Sequence, residues 1–293
     1  MFLKSKQIIV IDGSDGAGKE TVSRGLEAYL NHIGISAKRF SFPMYDTPEG
    51  HEIAVLLGKT DIDAYAENKI KNAQNLNEWG QEYPRLPESF LEEYWKTAAK
   101  IYADERAANI GKILDCPAQV IICDRYTFSN MAYQSAKHYL KAQTRGTQLS
   151  TTEDLEWADD IMKKHASWIA DLEYNKLSIP EPNKTIFLYR PHDDAMKRVK
   201  ERGEKVDVHE ANKNYQLFVE RTYKILAESL GATKVDTLDE EGETRSRASI
   251  FAEVAVNVLE HLGQPIEHYS DLTETINDAH DFAKDFYAQL EQN

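Results

Sequence analysis

"IIVIDGSDGAGKET", residues 8 to 21, carries an apolar run straight into a turn with glycines at 13, 16 and 18, then into Lys19 and a helix-forming stretch. A short run of β-branched residues bounded by turn chemistry is the pattern of a buried strand. The glycines let backbone N–H groups turn toward an anion, the lysine adds a cation, and a helix starting there points its positive end at the same place. The stretch has the pattern of a phosphate-cradling loop joining a first strand to a first helix. GxxxxGK spacing by itself is modest support, because chance supplies roughly 0.1 matches in a chain of this length. Its position between strand and helix makes the reading specific. One residue departs from the pattern: Glu20 follows Lys19, where such loops carry a metal-holding Ser or Thr.

Working outward, four more short apolar runs repeat the strand signal: "AKRFSFP" (37 to 43), "QVIICD" (119 to 124), "KTIFLYR" (184 to 190) and "TKVDTL" (233 to 238). Between them lie segments of helical period, two of which end in Gly34 and Gly231. Such alternation predicts an α/β fold in three layers, a five-stranded parallel sheet with helices on both faces. The polar segment 60 to 85 reads as an insertion. Residues 1 to 262 read as one domain and 263 to 293 as an acidic C-terminal extension, with a helix from Asp271 to about Leu290. With 293 residues, 41% of them hydrophobic, the chain can bury a full core. A formal net charge of −14 excludes a broad nucleic-acid face and points to a small-molecule ligand. Two cysteines, Cys116 and Cys123, without CxxC spacing, fit buried thiols in a reducing cytoplasm. The opening run is too short for a signal sequence and no 18-residue apolar stretch occurs, so neither export nor a membrane partner is expected.

A second motif agrees with the first. "QVIICDRYTFSNMAYQ" ends its strand in Asp124, where phosphate-loop proteins place a carboxylate that organises magnesium, and Arg125 follows at once. With this motif the sequence resembles the thymidylate kinase family of P-loop nucleoside monophosphate kinases. The signature "DRY..S..AYQ" stands as Asp124, Arg125 and Tyr126, Ser129, and Ala132 to Gln134. "FPMY" follows the second strand, "KIYADER" (100 to 106) resembles the family's "LFAADR" helix, and "AMKRVKERGEKVDVHEANKNYQ" resembles its lid, about 197 to 210. The matches run in family order from about residue 7 to 262, outside the insertion.

The resemblance implies a P-loop NTPase fold, ATP and magnesium as cofactors, and transfer of the γ-phosphate of ATP to dTMP. It also implies a homodimer. Gly13, Ser14, Asp15, Gly16, Ala17, Gly18, Lys19, Glu20 and Thr21 would hold ATP with Arg198 and Arg202 of the lid. Lys19, Asp15, Arg125 and Arg202 would serve catalysis, and Asp15, Glu20, Thr21 and Asp124 the metal. For dTMP the family pattern points to Asp15, Phe42, Pro43, Tyr45, Tyr102, Arg106, Arg125, Ser129, Asn130, Tyr133 and Gln134. Tyr102 would stack on thymine and Arg106 would hydrogen-bond it. Ser129 and Asn130 would read its N3 and O4 edge, Pro43 would pack near its methyl, and Tyr133 would crowd a ribose hydroxyl. Two departures stand out: a frequent phosphate arginine is Met44, and the lid's aspartate-arginine pair is Asp207 with Val208. Another deoxynucleoside monophosphate kinase, or a nucleotide sensor without turnover, would share the loop.

Because Gly16 and Ala17 carry no charge, the transferring phosphoryl group needs a cation from elsewhere, and an arginine in that role is worth about 10³ to 10⁵ in rate. Arg202, four residues after Arg198 and next to Gly203, is placed to supply it from a closing lid. Arg202→Ala should lower kcat by at least about 100-fold with little change in dTMP binding. A kcat within about fivefold of wild type, with folding intact, moves the role to Arg198 or Lys205.

Overall fold

Strand β1 (Gln7–Gly13) sends Ile9 and Ile11 to one side and Ile8 and Val10 to the other, and all four are buried. A strand covered on both faces belongs at the centre of a parallel sheet. The computed structural model, which describes residues 6–57, 88–144, 151–201, 213–263 and 269–291, places it there. β2 (Ala37–Ser41), β3 (Val120–Asp124), β4 (Lys184–Tyr189) and β5 (Thr233–Asp236) complete a five-stranded sheet in the order β2-β3-β1-β4-β5. All its pairings are parallel. The five strand readings from sequence are therefore observed, the first, read as 7 to 12, running one residue further and the other four trimmed by one or two residues at their ends. The polar insertion and lid residues from 202 on lie outside the described residues.

Helix α1 (Lys19–His32) follows the phosphate loop, and α2 (Pro48–Leu56) and α3 (Glu88–Leu114) follow β2. After β3 come α4 (Thr127–Thr144) and α5 (Thr152–Ala170), the latter opened by a capping box between Thr151 and Asp154. A π-helical turn, Asp171–Lys176, continues α5. α6 (His192–Glu201) and α7 (Lys213–Ser229) precede β5, and α8 (Arg247–His261) and α9 (Tyr269–Leu290) follow it. One face of the sheet packs on α1, α8 and α9 through Leu26, Leu30, Phe251 and Tyr287. The other packs on α3, α4, α5 and α7, where Trp95, Tyr139, Met162 and Tyr223 are buried.

The acidic tail, set apart in the sequence, is thus part of the larger core. Ala279, Ala283 and Tyr287 recur every four residues and are all buried, the stripe of an amphipathic helix. Phe282 adds ring contacts to Tyr29 at 5.2 Å and Phe251 at 6.2 Å. The Tyr287 hydroxyl donates to the Thr21 carbonyl at 3.2 Å, which ties α9 to the first turn of the phosphate-loop helix.

The closeness of that contact fixes Gly25. A Cβ there would lie 2.8 Å from the Tyr287 hydroxyl and 3.0 Å from the Phe251 ring. In a helix interior Gly→Ala ordinarily gains about 0.8–1 kcal/mol, but overpacking costs about 1–3 kcal/mol. Gly25→Ala should therefore lower stability by about 1 kcal/mol in chemical denaturation, and Tyr287→Phe in the same chain should return part of it. A Gly25→Ala protein more stable than wild type would show that α9 does not press on α1.

Candidate active site

The loop from Gly13 to Lys19 leaves β1 at its carboxyl end and enters α1 through Gly18, which has φ 94°. Gly13 and Gly16, at φ 148° and 79°, have no room for a side chain: a Cβ would fall 2.3 Å from the Leu188 carbonyl oxygen and 2.5 Å from that of Ala195. The loop is therefore pressed against β4 and the start of α6, with its backbone shape set by those contacts. Lys19 is buried and donates to the Ser14 carbonyl at 2.7 Å, and Ser14 Oγ donates to the Arg190 carbonyl at 3.4 Å.

Arg125 enters from the end of β3, which lies beside β1 with Asp124 level with Ile11. Its φ of 64° is unusual for a residue with a Cβ, and such strain collects at functional sites. The conformation lets its backbone N–H donate to the Ile11 carbonyl at 3.0 Å while the guanidinium pairs with Asp15. Asp15 also accepts from the Tyr133 hydroxyl at 2.6 Å and lies 3.8 Å from Lys19. Burial works to raise the Asp15 pKa, but Arg125, Lys19 and the Tyr133 hydrogen bond outweigh it and hold the carboxyl well below its usual range. For Lys19, burial and then the Arg125 charge pull the pKa down to about 8, against the pull of Asp15, Asp124 and Asp12. Burial, reinforced by Asp15, keeps the Tyr133 phenol protonated far above its ordinary value.

Beneath the loop, Asp12 is fully buried, and its Oδ1 accepts from Ser129 Oγ at 2.6 Å, Tyr223 at 2.8 Å and the Gly13 N–H at 2.8 Å. Asp124 Oδ2 accepts from Arg39 Nη2 at 2.5 Å and Ser23 Oγ at 3.4 Å, and Arg39 Nε donates to Ser23 Oγ at 2.7 Å. Glu20 turns outward to Arg24, 2.7 Å away, with both side chains exposed.

A second cluster forms between α3, the start of α4 and the π-helical turn. Arg106, 2% exposed, stands over the rings of Phe42 at 5.1 Å and Tyr126 at 5.2 Å. Its Nε donates to Glu173 Oε2 at 2.8 Å. Glu173 also accepts from Thr127 Oγ1 at 2.6 Å and Asn130 Nδ2 at 2.7 Å. The Phe42–Pro43 peptide is cis, and Glu105 holds the following Met44 N–H at 2.9 Å. Tyr45 is exposed, Tyr102 is half-buried, and Gln134 is buried and accepts from Lys137.

The sequence-derived residues thus divide into two groups joined by one helix. Asp15, Lys19, Arg125, Ser129 and Tyr133 meet at the phosphate loop, and Phe42, Arg106 and Asn130 gather around Glu173. Ser129 falls with Asp12, apart from Asn130. Arg198 lies on α6, while Arg202, Lys205, Asp207 and Val208 are outside the described residues. Five contributors went unread: Asp12, Ser23, Arg39, Glu173 and Tyr223. Only Asp12 carried a signal, an acid closing a buried strand.

A phosphate loop at the carboxyl edge of a parallel sheet, between its central strand and the next helix, defines a P-loop NTPase fold. No family model matches the chain. Among curated proteins it is 26% identical over 226 residues to the thymidylate kinase of Mycobacterium tuberculosis (strain H37Rv), covering 75% of this chain and 84% of that one. It is 27% identical over 241 residues to the probable thymidylate kinase of Thermococcus kodakarensis, covering 80% and 91%. Among solved structures, a thymidylate kinase from Candida albicans superposes with a TM-score of 0.55 at 19% identity, covering 94% of each chain.

Linkage gives the Asp15 ion pair a pH signature. A carboxyl whose folded pKa lies below its unfolded value of 3.8 stabilises the fold fully above about pH 4 and loses that contribution as the pH falls through the folded pKa. Asp15→Asn should therefore be less stable than wild type at pH 7, and the gap should close as the pH drops below 4. A gap independent of pH between 7 and 3 would mean that Asp15 is not ionised against Arg125.

Proposed function

We propose that this protein transfers the γ-phosphate of ATP to dTMP, giving dTDP and ADP. The observation that carries the reading is the meeting of Lys19 and Arg125 at Asp15, beyond the ends of neighbouring strands, next to an enclosed cluster of Arg106 and Asn130 on α3 and α4. One end offers cations for phosphates and the other a polar, aromatic-lined recess for a base. Relatives named thymidylate kinase support it. The same likeness carries the further readings of a cytoplasmic enzyme and a homodimer; among the described residues no helix is long and apolar enough to cross a membrane.

In this reading Lys19 and the loop's backbone N–H groups hold the nucleotide phosphates, and Arg125 orients the acceptor phosphate. Asp15, held in turn by the Tyr133 hydroxyl, fixes the guanidinium of Arg125 through a partly buried ion pair. Magnesium fits the donor set. It keeps several waters and phosphate oxygens and takes few protein ligands. Among the described residues no three His, Cys, Asp or Glu side chains converge, and Asp124 has only Oδ2 committed, to Arg39 and Ser23. Asp124 would hold it, with Thr21, Glu20 or Asp15 through water, and it would offset negative charge on the phosphates. The Glu20–Arg24 pair does not oppose this, since an exposed i,i+4 pair is worth only about 0.3–0.5 kcal/mol.

A panel of dTMP, dUMP, dCMP, dGMP and dAMP in a coupled ADP assay with ATP and magnesium tests the proposal. dTMP should give the highest kcat/KM. Thermal stabilisation by nucleotides without ADP formation would instead make the protein a sensor. For the base pocket, Arg106→Ala is a poor probe, because it leaves buried Glu173 without its counter-charge at a cost of about 3–5 kcal/mol. Arg106→Lys keeps the charge and loses the fork. It should cut kcat/KM for dTMP at least tenfold while the KM for ATP stays within twofold. A dTMP efficiency within twofold of wild type sinks the assignment of Arg106 to the base.

A further inference from the structure

Glu173 is fully buried, on the π-helical turn that continues α5, and it lies outside every motif discussed above. Its two carboxylate oxygens take Arg106 Nε at 2.8 Å and Nη2 at 3.5 Å, Thr127 Oγ1 at 2.6 Å and Asn130 Nδ2 at 2.7 Å. Those donors come from α3 and α4, so the residue is a junction between helices. Insertions of a π turn recur at functional sites because they re-aim side chains that a regular helix would point elsewhere.

The consequence lies at Asn130, itself only 3% exposed. An amide can be turned end for end, but here its partners decide the orientation. Glu173 Oε1 and the Ala99 carbonyl, the latter at 2.9 Å, can only accept, so Nδ2 must face both of them. Both amide hydrogens are thereby used. Oδ1 is left on the other side, buried and with no hydrogen-bond partner. A buried carbonyl without a donor calls for one from outside, an ordered water or a ligand group. The fork of Arg106 is similarly turned, with Nε and Nη2 committed to Glu173.

We propose that Glu173 is a positioning residue that sets the hydrogen-bonding polarity of the base pocket: with the Ala99 carbonyl it turns Asn130 to present an acceptor, and it fixes the direction in which Arg106 presents its remaining donors. A pyrimidine with an N3–H donor beside a carbonyl acceptor, as in thymine or uracil, matches that polarity at both points. Cytosine offers a bare N3 and an amino group, and is opposed at both. The inference rests on the dTMP reading for its substrate, but its polarity argument stands on the hydrogen bonds alone.

The test is a charge swap. In Glu173→Gln the introduced amide can keep its oxygen on Arg106 while its nitrogen meets Asn130 Nδ2, donor against donor. Turning Asn130 over relieves that contact only by setting Oδ1 against the Ala99 carbonyl, so neither orientation is satisfied and the acceptor is no longer held toward the base. The ratio of kcat/KM for dTMP to that for dCMP should fall at least tenfold, through KM for the acceptor, with the KM for ATP within twofold of wild type. The double variant Glu173→Gln/Asn130→Asp moves the negative charge to position 130, where one oxygen accepts from the new amide, at the loss of the Ala99 hydrogen bond, and the other again faces the pocket as an acceptor. It should return the ratio to within about threefold of wild type, and it is the variant scored if the single one does not fold. A parallel loss for both nucleotides in the single variant, without recovery in the swap, would reduce Glu173 to general structural support and overturn the proposal. If wild type turns over no dTMP, the functional reading fails on its own. Thermal shifts with thymidine and deoxycytidine then decide the polarity: preference for thymidine in wild type and its loss in Glu173→Gln uphold it, and equal shifts overturn it.

Discussion

The partly buried ion pair between Asp15 and Arg125 joins the two strand ends on which everything else is mounted. Asp15 belongs to the loop after β1, and Arg125 follows β3, so their contact spans the carboxyl edge of the sheet. A guanidinium partly withdrawn from water there is stabilised by its pair, and truncating either partner leaves a charge without its partner in a half-buried place. That requirement explains why Arg125 is held at a positive φ and why Tyr133 spends its hydroxyl on the second oxygen of Asp15. The loop cannot shift without breaking the pair, and Gly13 and Gly16 already press it against β4 and α6. The shape of the loop is therefore fixed by packing and charge together.

The chain as a whole carries a charge of −14, yet Lys19, Arg125 and Arg39 crowd one edge of the sheet. Each is matched locally, by Asp15 or by Asp124. Local pairing lets an acidic protein keep a cationic recess, because buried partners interact far more strongly than the screened charges of the surface. In the proposed reading, an arriving phosphate would share Arg125 with Asp15 and gain a donor whose position is already fixed. Net charge thus constrains which partners approach, while the ion pairs decide what binds.

How much of this was legible in sequence follows from how local each signal is. The strands were legible because fully buried strands leave continuous apolar runs, and the loop because its glycines answer steric needs a few residues away. The stripe of Ala279, Ala283 and Tyr287 was equally present in the sequence, but acidic neighbours disguised a packed helix as a tail. Glu173 and Arg39 were not legible. In "DLEYNK" a glutamate looks solvated, and its burial depends on donors from Arg106, Thr127 and Asn130, between 43 and 67 residues away. Arg39 sits in the edge strand β2, where a charged residue is ordinary, and only the parallel pairing with β3 brings it to Asp124.

Glu20, the residue out of pattern in the loop, has an account in local physics. An acid in the first turn of a helix gains about 0.3–1 kcal/mol from the helix dipole, and its pairing with Arg24 adds about 0.3–0.5 kcal/mol. Both contributions favour α1, and neither touches the backbone turn that cradles phosphate. The hydroxyl that usually stands there is a ligand a magnesium ion can replace with water, since the ion dehydrates reluctantly and takes its charge compensation from phosphates and one carboxylate. The turn itself has no such substitute, because a Cβ at Gly13 or Gly16 would collide with carbonyl oxygens of β4 and α6. The loop can therefore vary at residue 20 and not at its glycines, and the side chain found there, exposed and paired outward, is placed as that asymmetry requires.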